Sequence, residues 1–156
     1  DNKWSYMKTH GDEGWQAYPT YLPSLVPSIL KLLDGVGLKI TFFVVGRDAA
    51  EPINQEAIAS LAASGHEVGN HSFDHEPWLH LYSEQQIDDE LAKTEESILQ
   101  VTGKRPIGFR GPGFSYSHQL LEILKRRGYL YDASTFPTFL GPIARAYYFF
   151  HAKLDK

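Results

Sequence analysis

The residues best suited to chemistry in this sequence are His71 and His75, four positions apart in Asn70-His71-Ser72-Phe73-Asp74-His75. On a helical turn that spacing puts both imidazoles on one side, where they can grip a single cation. One carboxylate would complete the set and leave open positions for water and substrate. Histidines at this spacing can equally be a solvated or hydrogen-bonded pair, so the reading depends on what else converges on them. Asp12 and Glu13 offer the carboxylate. They are adjacent acids between Gly11 and Gly14, which free the backbone to turn sharply. One acid would ligate the cation and the other act as general base on the attacking water; the plainer alternative is a solvated acidic turn. Arg110 precedes Gly111-Pro112-Gly113-Phe114. Its guanidinium could pair with the catalytic acid and hold it ionised, or form a surface salt bridge. Gly113 could offer an unobstructed backbone N–H to an oxyanion, or simply serve the turn. Trp15, Trp78, Phe114 and Tyr116 lie near these stretches and could stack on sugar faces or pack as ordinary core and loop residues. His66, His80, His118 and His151 lack convincing partners and read as surface or capping residues, with His80 as a reserve ligand.

These residues need a scaffold, and the sequence alternates short apolar runs with longer amphipathic ones. That is the pattern of strands and helices around a parallel sheet. Trp4–Met7 reads as a first strand leading into the Asp12–Glu13 loop. Leu25, Ile29, Leu32 and Leu33 recur at helical spacing before Gly35 and Gly37. Lys39–Val45 is an almost wholly apolar strand, as expected when both faces are covered. Asn54 reads as the N-cap of a second helix closed by Gly65, followed by a short strand over His66–Asn70. Ser83 to Gln86 has a capping-box pattern at the start of a helix that ends at Gly103. Ile107–Arg110 is strand-like, Ser117 caps a fourth helix ended by Gly128, and Tyr129–Asp132 is a fifth strand. In this order the ionisable residues sit just beyond the C-terminal ends of the strands, on the face where parallel α/β folds build their sites.

Size and composition agree with one globular domain: 156 residues, 42% hydrophobic and 22% charged. The balance of 15 Lys+Arg against 19 Asp+Glu gives a net charge of -4, the opposite sign from a phosphate-backbone binder. With no cysteine, the chain has no disulfides, thiolate nucleophiles or Cys-based zinc sites. Its apolar runs fall short of the roughly 20 residues that span a bilayer, and the start at Asp1-Asn2-Lys3-Trp4 has no apolar leader core.

Four stretches together carry a family resemblance: Thr41-Phe42-Phe43-Val44-Val45-Gly46, Gly65 through His75, Gly108 through Phe114, and Gly128-Tyr129-Leu130-Tyr131-Asp132-Ala133-Ser134. Over about positions 4 to 137 the chain resembles the NodB-type polysaccharide deacetylases, carbohydrate esterase family 4. The resemblance implies an α/β fold, an incomplete or distorted (β/α) barrel with parallel strands. It also implies a chain that stops before the family's last strands, since five strands do not readily close a barrel and the late Leu-x-His motif is not found. The implied activity is removal of N-acetyl groups from an amino-sugar polysaccharide, with a divalent metal, zinc by expectation. By the family's pattern His71 and His75 are metal ligands, Asp12 is the base and Glu13 the third ligand, although Asp12 could itself bind the metal. Arg110 orients the base and the Gly113 N–H meets the oxyanion, while the rings of Phe114 and Trp15 are the candidates to meet the sugar. Glu13 stands where the family has Asp, and Gly113 where it usually has an aromatic residue. These departures leave open a degenerate glycan-binding module, or an enzyme of the same scaffold acting on a small amide.

Overall fold

A computed structural model describes Met7, residues 11–14 and residues 17–135. Among the described residues, four short strands form one parallel sheet in sequence order: β1 (Thr41–Val44), β2 (Glu67–Asn70), β3 (Gly108–Phe109) and β4 (Tyr131–Asp132). The helices are α1 (Leu22–Gly35), α2 (Gly46–Ala50), α3 (Pro52–Ala63), α4 (Glu84–Thr102) and α5 (His118–Arg126). Parallel neighbours require crossover connections, and here helices supply them.

Side chains alternate across the sheet. Phe42, Val44 and Val68 pack with Val26, Ala49, Ile58, Leu61 and Ile98 from the helices. Phe109 joins Ile87, Leu91, Leu120, Ile123 and Leu124 in a second cluster. Each fully buried side chain of this kind contributes about 1.5–3 kcal/mol. On the other face, β2 and β3 present Gly69 and Gly108. A Cβ on Gly69 would lie 2.7 Å from the Phe43 ring, and one on Gly108 would lie 2.2 Å from the Tyr131 ring. The two glycines let these rings lie over the middle strands, edge to face with centroids 6.4 Å apart.

The α4 start is as the sequence reads. Ser83 caps it, its side chain accepts from the Gln86 N–H, and the Gln86 side chain returns to the Ser83 N–H. Ser117 likewise caps α5 by accepting from the Leu120 N–H at 3.2 Å. Gly103 and Gly128 adopt positive φ where their helices stop.

Several expectations are corrected. The strands are shorter than their apolar runs, because pairing covers only Thr41–Val44 against Glu67–Asn70, with still briefer contacts beyond. Asn54 is no cap: Glu51 holds that position, Pro52 opens α3, and Asn54 is fully buried with its Nδ2 donating to the Asp48 carbonyl at 3.0 Å. The short helix α2 was not anticipated. Its first amides are satisfied from a distant loop, Gly46 N–H by the Ser72 carbonyl and Arg47 N–H by the Phe73 carbonyl. His66 is buried rather than superficial, accepting from the Ile40 N–H at 3.2 Å and meeting Phe42 edge-on. The strand expected over Trp4–Met7 falls outside the described residues except at Met7, which is helical. The Met7 carbonyl accepts from the Asp12 N–H at 3.0 Å, and Gly11 adopts positive φ.

Candidate functional site

The site is built where β1, β2 and β3 end. His71 follows β2 directly, and its N–H donates to the Val44 carbonyl at the end of β1. Asn70 before it is fully buried and uses its whole side chain. Its Oδ1 accepts from the Ser72 N–H at 2.8 Å, and its Nδ2 donates to the Leu91 carbonyl at 3.2 Å and to the Tyr129 hydroxyl at 2.7 Å. Ser72 is also buried, and its Oγ accepts from the His75 N–H at 3.1 Å.

The two histidines meet, but not by way of a helical turn. Ser72 and His75 have φ of 60° and 55°, in the left-handed region that L-residues other than Asn and Asp rarely occupy. These two bends fold the loop so that the imidazole centroids lie 4.7 Å apart with the rings at 71°. Strained backbone of this kind persists only where surrounding contacts fix it, and it concentrates at functional sites.

The His71 Nδ1 lies 2.5 Å from the Arg110 carbonyl oxygen. A carbonyl can only accept, so Nδ1 carries the proton and Nε2 keeps its lone pair. Burial pushes the His71 imidazole down to about 4 and that of His75 to about 3, where the neighbouring His71 adds to the effect. Both rings are therefore neutral at pH 7, the state that ligates a metal. A ring nitrogen fixed by a backbone carbonyl, with the opposite nitrogen unprotonated, is the usual support of a metal-binding histidine. The donor chemistry of this pair fits a divalent cation.

The other expected members make contacts of their own. The Asp12 carboxylate accepts from the Gly14 N–H at 2.8 Å and the Tyr18 hydroxyl at 2.9 Å, within its own loop, and Glu13 is exposed. Among the described residues no third His, Asp or Glu joins His71 and His75 in a group able to hold a metal. Arg110 forms no ion pair with an acid among the described residues. Its Nε donates to the Ala133 carbonyl at 3.2 Å, and its guanidinium lies 4.5 Å from the Phe43 ring centroid and 5.6 Å from that of Phe114. The planar cation is taken up by aromatic faces, and it is the Arg110 backbone that reaches the histidines.

Gly113 is exposed at φ 63°, and Phe114 follows at φ 54° with its ring partly open to solvent. Trp78 is buried at 6% exposure and serves packing, whereas Tyr116 is exposed. Trp15 lies outside the described residues.

Comparison with known proteins decides what this arrangement belongs to. The pattern of the family described as "Polysaccharide deacetylase" matches residues 11–131, which span the acidic loop, the histidine pair and Arg110. The chain belongs to the polysaccharide deacetylases. Within this family it is similar to the peptidoglycan deacetylase-like protein FGM2 of Gibberella zeae, at 39% identity over 114 residues, 70% of this chain and 32% of that one. The chain thus spans about a third of that relative. Among solved structures it is similar to a Mycobacterium smegmatis protein assigned to the polysaccharide deacetylases, with TM-score 0.73 and 30% identity over 84% of this chain and 47% of that one. It is also similar to BA3943 of Bacillus anthracis, described as a pseudoenzyme of carbohydrate esterase family 4, with TM-score 0.64 and 28% identity over 69% of this chain and 37% of that one. These neighbours agree with the NodB-type α/β architecture expected from the sequence.

Several residues that build this site were not singled out from the sequence. Glu90 of α4 accepts the Phe73 and Asp74 N–H groups, Arg47 of α2 pairs with Asp74, and Ser134 accepts the Gly111 N–H at 2.7 Å. Each acts across many residues of chain, so no local spacing marks it.

Proposed function

We propose that this domain hydrolyses N-acetyl groups on an amino-sugar polysaccharide with the help of a divalent cation, zinc being the natural fit to two neutral imidazoles and a carboxylate. The observation that carries this reading is the half-buried, uncharged His71–His75 pair in a polysaccharide deacetylase chain, with the His71 tautomer set by the Arg110 carbonyl. His71, His75 and Glu13 would hold the cation, with Asp12 the alternative carboxylate. A cation bound there would polarise the acetyl carbonyl and lower the pKa of a water.

The rest falls to the protein. Asp12 would take the proton of the attacking water, oriented by the Tyr18 hydroxyl and the Gly14 N–H that it already binds. The exposed Gly113 backbone offers its N–H to the oxygen on which negative charge develops. Phe114, held beneath by the Arg110 guanidinium, gives a sugar ring a flat apolar face, and Trp15 would add another. Hydroxide adds to the acyl carbon, the C–N bond breaks to release acetate, and the proton taken up by Asp12 passes to the departing amine.

Acetate release from a chitin-type oligomer, before and after chelation and metal return, tests the reading. Acetate production unaffected by complete metal removal would sink the cation's role. Release from simple amides but not from acetylated sugars would move the substrate to a small amide. A second reading, a glycan-binding module without turnover, draws on Glu13 in place of the family's Asp and on the likeness to a pseudoenzyme. It is favoured if calorimetry shows oligomer binding while no acetate appears.

A further inference from the structure

Five consecutive amides run through the histidine loop, and each has an acceptor. His71 N–H goes to the Val44 carbonyl at 3.1 Å, Ser72 N–H to Asn70 Oδ1 at 2.8 Å and His75 N–H to Ser72 Oγ at 3.1 Å. The middle two, Phe73 and Asp74, both donate to one oxygen, Oε2 of Glu90, at 2.9 and 3.0 Å. Of the acceptors, only Glu90 and Val44 lie outside the Asn70–His75 segment, and only Glu90 is a side chain among these two.

We propose that Glu90 is a positioning residue for the His71–His75 pair, holding the loop in the bend that brings the two imidazoles together. This rests on the cation-site reading given above. The bend is costly, because Ser72 and His75 both sit at left-handed φ, which residues with a Cβ rarely adopt. Phe73 and Asp74 lie between those two residues. Without an acceptor for their N–H groups, the loop relaxes toward ordinary backbone and the His75 ring leaves its partner. Both N–H groups converge on one side-chain oxygen, so losing that acceptor strands the two together.

Packing alone gives no reason for an acid at this position. Glu90 is only 8% exposed, beside Ile87, Leu91 and Thr94 on the inward face of α4. An apolar side chain would fill that space without the cost of burying a charge. Burial indeed pushes the Glu90 carboxyl up, while the Asp74 and Phe73 N–H bonds pull it back. The other side of the loop is tied as well: Arg47 Nε donates to the Asp74 carboxylate at 2.7 Å, and the Gly46 and Arg47 amides bind the Ser72 and Phe73 carbonyls.

The test compares Glu90→Gln with Glu90→Met. Both keep the length of the side chain, but only glutamine keeps an oxygen able to accept both N–H groups. Imidazole proton–nitrogen correlations of His71 and His75, and amide exchange at Phe73 and Asp74, are read on the metal-free protein. Cobalt(II) uptake is followed by visible absorption. In E90M the imidazole signals shift, the two amides exchange faster, and cobalt affinity falls about 10–100-fold; in E90Q all three stay near wild type. A folded E90M protein with wild-type imidazole signals and wild-type amide exchange overturns the proposal. If wild-type protein takes up no cobalt, the cation site is what fails, and the metal-free signals still decide the role of Glu90.

Discussion

The His71 Nδ1 sits 2.5 Å from the carbonyl oxygen of Arg110, joining the residue after β2 to the residue after β3. That one contact fixes a tautomer, orients a ring and ties the histidine loop to the Gly111–Phe114 turn. The Arg110 guanidinium meanwhile lies on Phe43 and Phe114. Arg110 therefore serves the site with its backbone on one side and its side chain on the other.

Replacing either His71 or His75 by Ala is expected to abolish stoichiometric zinc binding, since a single remaining imidazole with a carboxylate is a weak ligand set. Elemental analysis after gel filtration measures this. Retention of one zinc per chain in both variants removes these residues from the metal site.

Lysine at position 110 keeps the charge and the backbone carbonyl but loses the planar group that stacks on Phe43 and Phe114. We expect R110K to keep zinc affinity within a few-fold while acetate release falls about tenfold or more, as the Phe114 platform loosens. Equal loss of both would place the side chain in the metal support instead.

Stability should respond to pH through the two half-buried imidazoles. Their folded values, about 4 for His71 and about 3 for His75, lie below the ordinary 6.5. The unfolded chain therefore takes up protons that the folded chain refuses as pH falls below 6.5. The contribution is complete above about pH 7 and declines between 6.5 and the folded values, by up to about 1.4 kcal/mol per pH unit for each ring. Denaturant midpoints of metal-free protein from pH 7.5 to 4.5 measure the slope. His75→Asn should flatten it, and an identical slope in that variant would show that His75 titrates normally.

The Tyr129 hydroxyl accepts from Asn70 Nδ2 at 2.7 Å. Tyr129→Phe leaves that buried N–H without one of its acceptors, at an expected cost of about 1–2 kcal/mol in unfolding free energy. Asn70→Ala removes the Ser72 and Leu91 bonds too and should cost more. Urea titrations order the two variants, and a neutral Tyr129→Phe would mean that the Leu91 carbonyl alone suffices.

Alanine at position 113 would face two obstacles: φ of 63° and a Cβ placed 3.2 Å from the Pro77 side chain. G113A should lose about 1 kcal/mol or more of stability. If its N–H serves the oxyanion, kcat falls further than KM changes. Kinetics with an acetylated oligomer separate the two effects.

The sequence by itself determined the donor types and the order in which they arrive. His71, His75 and Arg110 follow runs whose apolar pattern makes strands, and the Ser83 and Ser117 caps place the helices between them. Those signals are short-range, carried by periodicity, capping and glycine stops within a few residues. Tertiary structure decided the rest. The histidine spacing suggested a helical turn, but two left-handed residues bring the rings together, held by Glu90 from 16 and 17 positions away. Arg110 was expected to meet an acid, yet its carbonyl meets His71 across 39 positions and its guanidinium rests on Phe43. Asp12 is steadied by the Gly14 N–H and the Tyr18 hydroxyl of its own loop, a pairing that no spacing rule pointed to. A buried hydrogen bond between distant residues depends on which strands become neighbours, and no local pattern in the chain encodes that.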